Sequence, residues 1–160
     1  MSSRKNVHNA RINSQLRKIH RALVDVISVM NQPERDDVII KRAGIKLERP
    51  LFPLLVGVER YGPIGIVDLA GRAGRDHTTV SRQVSKLDNL GLVERQEDSS
   101  DRRVRKVSIS EKGKAMTHHI DAAREAIGRA VFESWDTHEI EMLAHLLEKY
   151  AEAIQERSAE

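Results

Sequence analysis

The stretch from Pro63 to Gly113 constrains the chain most, because its succession of helix, turn, helix and hairpin admits few arrangements. It reads as a short strand (Gly65-Ile66-Val67), a helix over Asp68-Leu69-Ala70-Gly71-Arg72-Ala73 and a break at Gly74. A second helix is expected from Asp76 to Leu90, followed by Gly91-Leu92-Val93-Glu94-Arg95. The charged run Asp98-Ser99-Ser100-Asp101-Arg102-Arg103 reads as a hairpin, and Val104 to Ser108 as its last strand. Two helices joined by a tight turn and followed by a β-hairpin form a winged helix-turn-helix, a unit that works by laying its second helix in a DNA groove.

At 3.6 residues per turn, Val80, Val84 and Leu87 fall within a narrow arc of the second helix and are expected to pack inward, with Leu90 anchoring the end. Thr78, Arg82, Ser85, Lys86 and Asn89 lie on the opposite arc, and none of them is acidic. Arg82 is the candidate for a bidentate contact to a guanine edge. Thr78, Thr79 and Ser81 are short enough to let the helix sit deep, with hydroxyls for phosphates or bases. Lys86 suits a phosphate, since an ammonium acts as a point charge. His77, beside the Asp76 cap, either touches a phosphate or faces solvent in the first turn.

Arg102, Arg103, Arg105 and Lys106 lie close together at the hairpin tip and on its returning strand. A hairpin tip is narrow enough for a minor groove, whose negative potential attracts guanidinium groups. Asp101 would repel phosphate unless paired, and its role is read as holding Arg103 in a fixed orientation. The competing reading is a flexible charged turn, favoured by Ser99-Ser100.

The flanking sequence is helical in pattern. Residues 1–9 are polar and unpatterned and are expected to form a mobile arm. Ile12, Leu16, Ile19, Leu23, Val26 and Met30 mark one stripe of a helix of about five turns. Shorter helices are expected over Glu34 to Ala43, closed by Gly44, and over Pro50 to Tyr61. Ser110 is a candidate N-cap for a long helix bearing Met116, Ile120, Ala123, Ile127, Ala130 and Ser134 on one face. Asp136 and Glu139 have capping-box spacing before a last stripe of Ile140, Leu143, Leu147, Tyr150 and Ile154. Long terminal helices cannot bury their stripes against a compact central module alone. The expected organisation is therefore a winged helix-turn-helix over 47–110, with a helical dimerisation region from 10–46 and 111–160. The fold class is mainly α with a small β-hairpin, and homodimerisation is expected.

The pattern of the central stretch resembles the MarR family of bacterial transcription regulators. The resemblance rests on Asp-Leu-Ala (68–70), Thr-Val-Ser-Arg (79–82), Leu-x-x-Leu-Gly-Leu-Val-Glu-Arg (87–95), Asp-Arg-Arg (101–103) and Val107-Ser-Ile-Ser-Glu-Lys-Gly113. Ile109-Ser110 stands where that family usually has Leu-Thr, a conservative change. The resemblance is specific over 63–113 and architectural elsewhere. It implies a homodimer on a roughly palindromic operator, with helix 76–90 in the major groove, Arg103 as the wing contact and Asp101 its orienting partner. It also implies a repressor released by a small, often aromatic, ligand held between the dimerisation helices and the DNA-binding lobe.

Composition removes several other classes. With 160 residues and a formal charge of +3, the distribution of charge matters more than its sum. Before Asp25 the chain carries Arg4, Lys5, Arg11, Arg17, Lys18 and Arg21 with no acid, whereas from Glu133 onward acids dominate. No cysteine is present, which excludes disulfides and thiolate metal sites. No apolar run approaches the roughly 20 residues of a bilayer span, and no signal-peptide pattern opens the chain, so a cytoplasmic protein with no membrane partner is expected. Among the seven histidines, adjacent His118 and His119 diverge on a helix, and His138 and His145 lie two turns apart, so no metal site is expected. No phosphate-binding glycine loop, HExxH pair or nucleophile elbow occurs, and neither an enzyme nor a cofactor is expected. A winged-helix module used for protein contacts, or a ligand-independent DNA-binding regulator, are the alternatives. The cationic helix and wing favour DNA, since a protein-binding face more often carries apolar anchors.

Overall fold

The computed structural model describes residues 2–97 and 105–158. Seven helices and three strands follow in order: α1 (Ser2–Met30), α2 (Pro33–Arg42), α3 (Phe52–Tyr61), β1 (Ile64–Gly65), α4 (Ile66–Ala73), α5 (His77–Asn89), β2 (Val93–Glu97), β3 (Arg105–Ile109), α6 (Glu111–Val131) and α7 (Thr137–Ser158). A 3-10 turn at Arg49–Leu51 leads into α3. The protein is thus mainly α with a small antiparallel sheet, ordered β1-β3-β2. Two compact units are formed, Met1–Ile120 and Asp121–Glu160, and the division falls within α6.

The core of the first unit is aliphatic. Leu51, Leu54, Leu55, Val58, Leu69, Val80, Val84, Leu87, Leu92, Val93 and Val107 are all fully buried. Helices α3, α4 and α5 contribute one face each, and the sheet closes the side with Val93 paired to Ile109 and Arg95 to Val107. Strand β1 adds Ile64 opposite Val107. This small strand stops at Gly65, one residue into the stretch read as Gly65-Ile66-Val67, and α4 begins at Ile66 instead of Asp68. Asp68 stays within the first turn of α4, near the positive end of the helix dipole.

Two left-handed glycines set the limits of the helix-turn-helix. Gly74, at φ +61, ends α4, and Arg75 N–H returns to the Ala70 carbonyl at 3.0 Å. Gly91, at φ +69, ends α5 in a Schellman stop: Leu92 N–H donates to the Leu87 carbonyl at 2.9 Å and Gly91 N–H to Asp88 at 2.8 Å. This geometry corrects the expectation for Leu90, which is 45% exposed while Leu92 is 1% exposed. The reversal at Gly91 turns the chain back, so the residue after the glycine, and not the one before it, enters the core.

Ser110 caps α6 as its sequence suggests, its hydroxyl accepting from Gly113 N–H at 2.9 Å and donating to the Gly91 carbonyl at 2.6 Å. Gly113 has to be glycine for a packing reason. A Cβ there would run into the Leu92 carbonyl and the Ile109 side chain.

Helix α1 begins at Ser2 and takes in residues expected to form an arm, consistent with the absence of glycine and proline from Ser2 to Met30. Ile12, Leu16, Ile19, Val26 and Met30 on this helix are each at least 44% exposed. In the second unit, Phe132 and Trp135 pack edge-to-face at 5.2 Å in the turn before α7. Asp136 and Glu139 form a reciprocal capping box, with N–H to carboxylate distances of 2.8 and 3.0 Å. Ile140, Leu147, Tyr150 and Ile154 of α7 are exposed. Among the described residues no helix is long and apolar enough to cross a membrane.

Candidate nucleic-acid interface

The inward arc of α5 holds Val80, Val84 and Leu87 at 0% exposure, which fixes the rotation of the helix and turns its polar residues outward. Thr78, Thr79, Arg82, Lys86 and Asn89 are exposed, while Ser81 and Ser85 are half-buried. His77 is also exposed. Asp76 caps the helix by accepting from Thr79 N–H at 2.8 Å. Hydrogen bonds from the Thr79 side chain and then its amide hold the Asp76 carboxyl below the usual carboxylate range. A depressed folded-state pKa means that the cap stabilises at neutral pH, and that this contribution is lost as pH falls through the carboxylate range.

The outward residues differ in how free they are. Arg82 has no hydrogen-bond or ion-pair partner among the described residues, so its guanidinium fork is available. Lys86 Nζ lies 3.1 Å from Glu48 Oε2, both side chains more than half exposed. Such a pair is weak in water and a phosphate can displace it. Ser85 is engaged within the protein: its hydroxyl donates to the Ser81 carbonyl at 2.9 Å and accepts from Arg95 Nη2 at 2.6 Å. Asp101, Arg102 and Arg103 lie outside the described residues. Arg105 begins β3, where its backbone pairs with Glu97.

Bracing residues around the helix escaped the phase argument. Arg75 Nη1 donates to the Pro50 carbonyl at 2.7 Å and to Gln83 Oε1 at 3.0 Å, tying the turn between α4 and α5 to the chain entering α3. Arg95 Nε lies 3.1 Å from Asp88 Oδ2. Ser85 and Asp88 are three residues apart, hence on one side of α5, and that spacing was the available signal. Away from α5, an open groove of about 690 Å³ is lined by Tyr61, Pro63, Ile64, Gly65, Val67, Asp68, Gly71, Arg72 and Lys106. Arg72 stacks there over the Tyr61 ring at 4.1 Å. No group of three or more potential metal ligands occurs among the described residues.

The sequence profile of the MarR family matches residues 47–104, the span holding α3 to α5 and β2. The chain is also 33% identical over 113 residues to the HTH-type transcriptional regulator YxaD of Bacillus subtilis (strain 168), covering 71% of this chain and 78% of that relative. The chain belongs to the MarR family. The fold of this MarR-family regulator is shared with a MarR transcriptional regulator from Methanosarcina mazei Go1, at a TM-score of 0.65 and 24% identity over 87% of this chain and 98% of that one. A MarR family protein from Bacillus stearothermophilus superposes at 0.66 with 21% identity, covering 91% and 96% respectively. Within the family's winged helix-turn-helix, α4 and α5 are the paired helices and β2 and β3 the strands of the wing.

Proposed function

We propose that this MarR-family regulator is a homodimer that reads a pseudo-palindromic operator in double-stranded DNA and acts as a repressor released by a small ligand. The carrying observation is the outward face of α5, where Thr78, Thr79, Arg82, Lys86 and Asn89 are exposed, Arg82 has no hydrogen-bond or ion-pair partner among the described residues, and Lys86 is held in an exposed pair with Glu48. Recognition-helix side chains would contact bases and phosphates in the major groove. Arg103, oriented by Asp101, would enter the adjacent minor groove, with Arg102 and Arg105 beside it.

Homodimerisation is supported by apolar stripes with exposed side chains on α1 in one unit and on α7 in the other. A two-fold dimer would also carry two α5 helices to successive major grooves. Light scattering at micromolar concentration is expected to report a dimer; a clean monomer would contradict it. Release by a ligand is carried by the family relationship, with no residues assigned to its pocket.

Binding of a labelled duplex from the upstream region of the chain's own gene tests the reading. Affinity is expected to fall steeply with salt, because several phosphates are neutralised per dimer. Absence of binding at low salt would refute DNA reading. Arg103→Ala is expected to lose affinity while far-ultraviolet circular dichroism and oligomeric state stay unchanged, and an unaltered affinity would remove the wing from the mechanism.

A further inference from the structure

We infer that Arg95 is a positioning residue for DNA reading, which fixes the angle between α5 and the wing strand β2. The inference rests on the DNA-reading role proposed above. Between α5 and β2 the chain has only the short turn through Gly91. Within β2, Val93 and Arg95 alternate with exposed Glu94 and Gln96, so both point to the inner side of the strand. From there the Arg95 side chain, 27% exposed, reaches α5 at two places one turn apart.

The two contacts differ in kind. Arg95 Nη2 donates to Ser85 Oγ at 2.6 Å, and Ser85 Oγ passes the link to the Ser81 carbonyl at 2.9 Å. The wing strand is thereby tied to the backbone of the recognition helix. Arg95 Nε is buried at ion-pair distance, 3.1 Å, from Asp88 Oδ2 but does not form a hydrogen bond with it. Ser85 therefore supplies direction and Asp88 supplies charge. A planar guanidinium spans two such partners, whereas a lysine ammonium is a single point.

This placement gives Ser85 and Arg95 an indirect role. Helix and wing have to meet neighbouring grooves together, so an error in their mutual angle costs contacts at both. Removing Arg95 leaves apolar packing around Leu92 and Val93 to set that angle.

The test uses the full chain and a duplex selected by the wild type, with binding measured at several salt concentrations. Arg95→Ala is expected to weaken binding about tenfold, the scale of one lost charge-assisted hydrogen bond. The slope of affinity against salt is expected to stay unchanged, because no phosphate contact is lost. Arg95→Lys is expected not to restore affinity. Ser85→Ala is expected to weaken binding too, and the double variant to bind no more weakly than Arg95→Ala. Unchanged affinity in Arg95→Ala would overturn the inference. So would a shallower salt slope with full rescue by lysine, which would make Arg95 a phosphate contact. Additive losses in the double variant would likewise return Ser85 to direct DNA contact. Should Arg95→Ala fail to fold, undiminished binding by Ser85→Ala overturns the inference. Wild-type chain that selects no duplex would instead remove the DNA reading beneath it.

Discussion

Leu87→Ala is expected to cost about 2–5 kcal/mol of stability, the range for removing a buried leucine side chain from a core that relaxes only in part. Leu87 is fully buried on the inward arc of α5, and its carbonyl accepts Leu92 N–H where the helix stops. The substitution leaves that backbone bond possible and takes away the packing that fixes the helix end. In urea, the unfolding midpoint should fall with little change in slope, which marks a loss of stability and not of compactness. A loss under about 1 kcal/mol would show that Leu87 is not part of a tightly packed core.

Arg82→Ala is expected to act in the opposite way, sparing stability and relaxing sequence preference. Arg82 is exposed on α5 and makes no hydrogen bond or ion pair among the described residues that alanine would break. A bidentate arginine on a guanine edge is worth about 1–3 kcal/mol of discrimination against the wrong base. Affinity for the preferred duplex should therefore fall by that amount while affinity for unrelated duplex changes little. An equal loss on all sequences would reassign Arg82 to a phosphate.

Periodicity was informative wherever burial and phase coincide. Val80, Val84 and Leu87 could be placed because a helix repeat leaves them only one common side, and their 0% exposure agrees with it. Capping pairs were equally legible, since Ser110 with Gly113 and Asp136 with Glu139 have spacings that bring side chain to backbone. Leu90 was misplaced because phase alone carries no information about the chain reversal at Gly91. Ser85 shares the outward arc by phase, yet its hydroxyl is taken by Arg95 from a strand ten residues on. Lys86 is met by Glu48, thirty-eight residues away in sequence. Such long-range partners depend on tertiary placement, which no local repeat encodes. For this reason the outward surface was readable as a surface, while the division of its side chains between reading and bracing was not.

Selection of bound duplexes from a random library by the full chain tests the central claim most directly. Enrichment of one sequence is expected, with two related half-sites in inverted orientation whose centres lie about one helical turn or a multiple of it apart. Arg82→Ala should lose preference at one base pair in each half-site. Recovery of unrelated sequences with no enrichment at low salt would contradict the claim that α5 reads DNA.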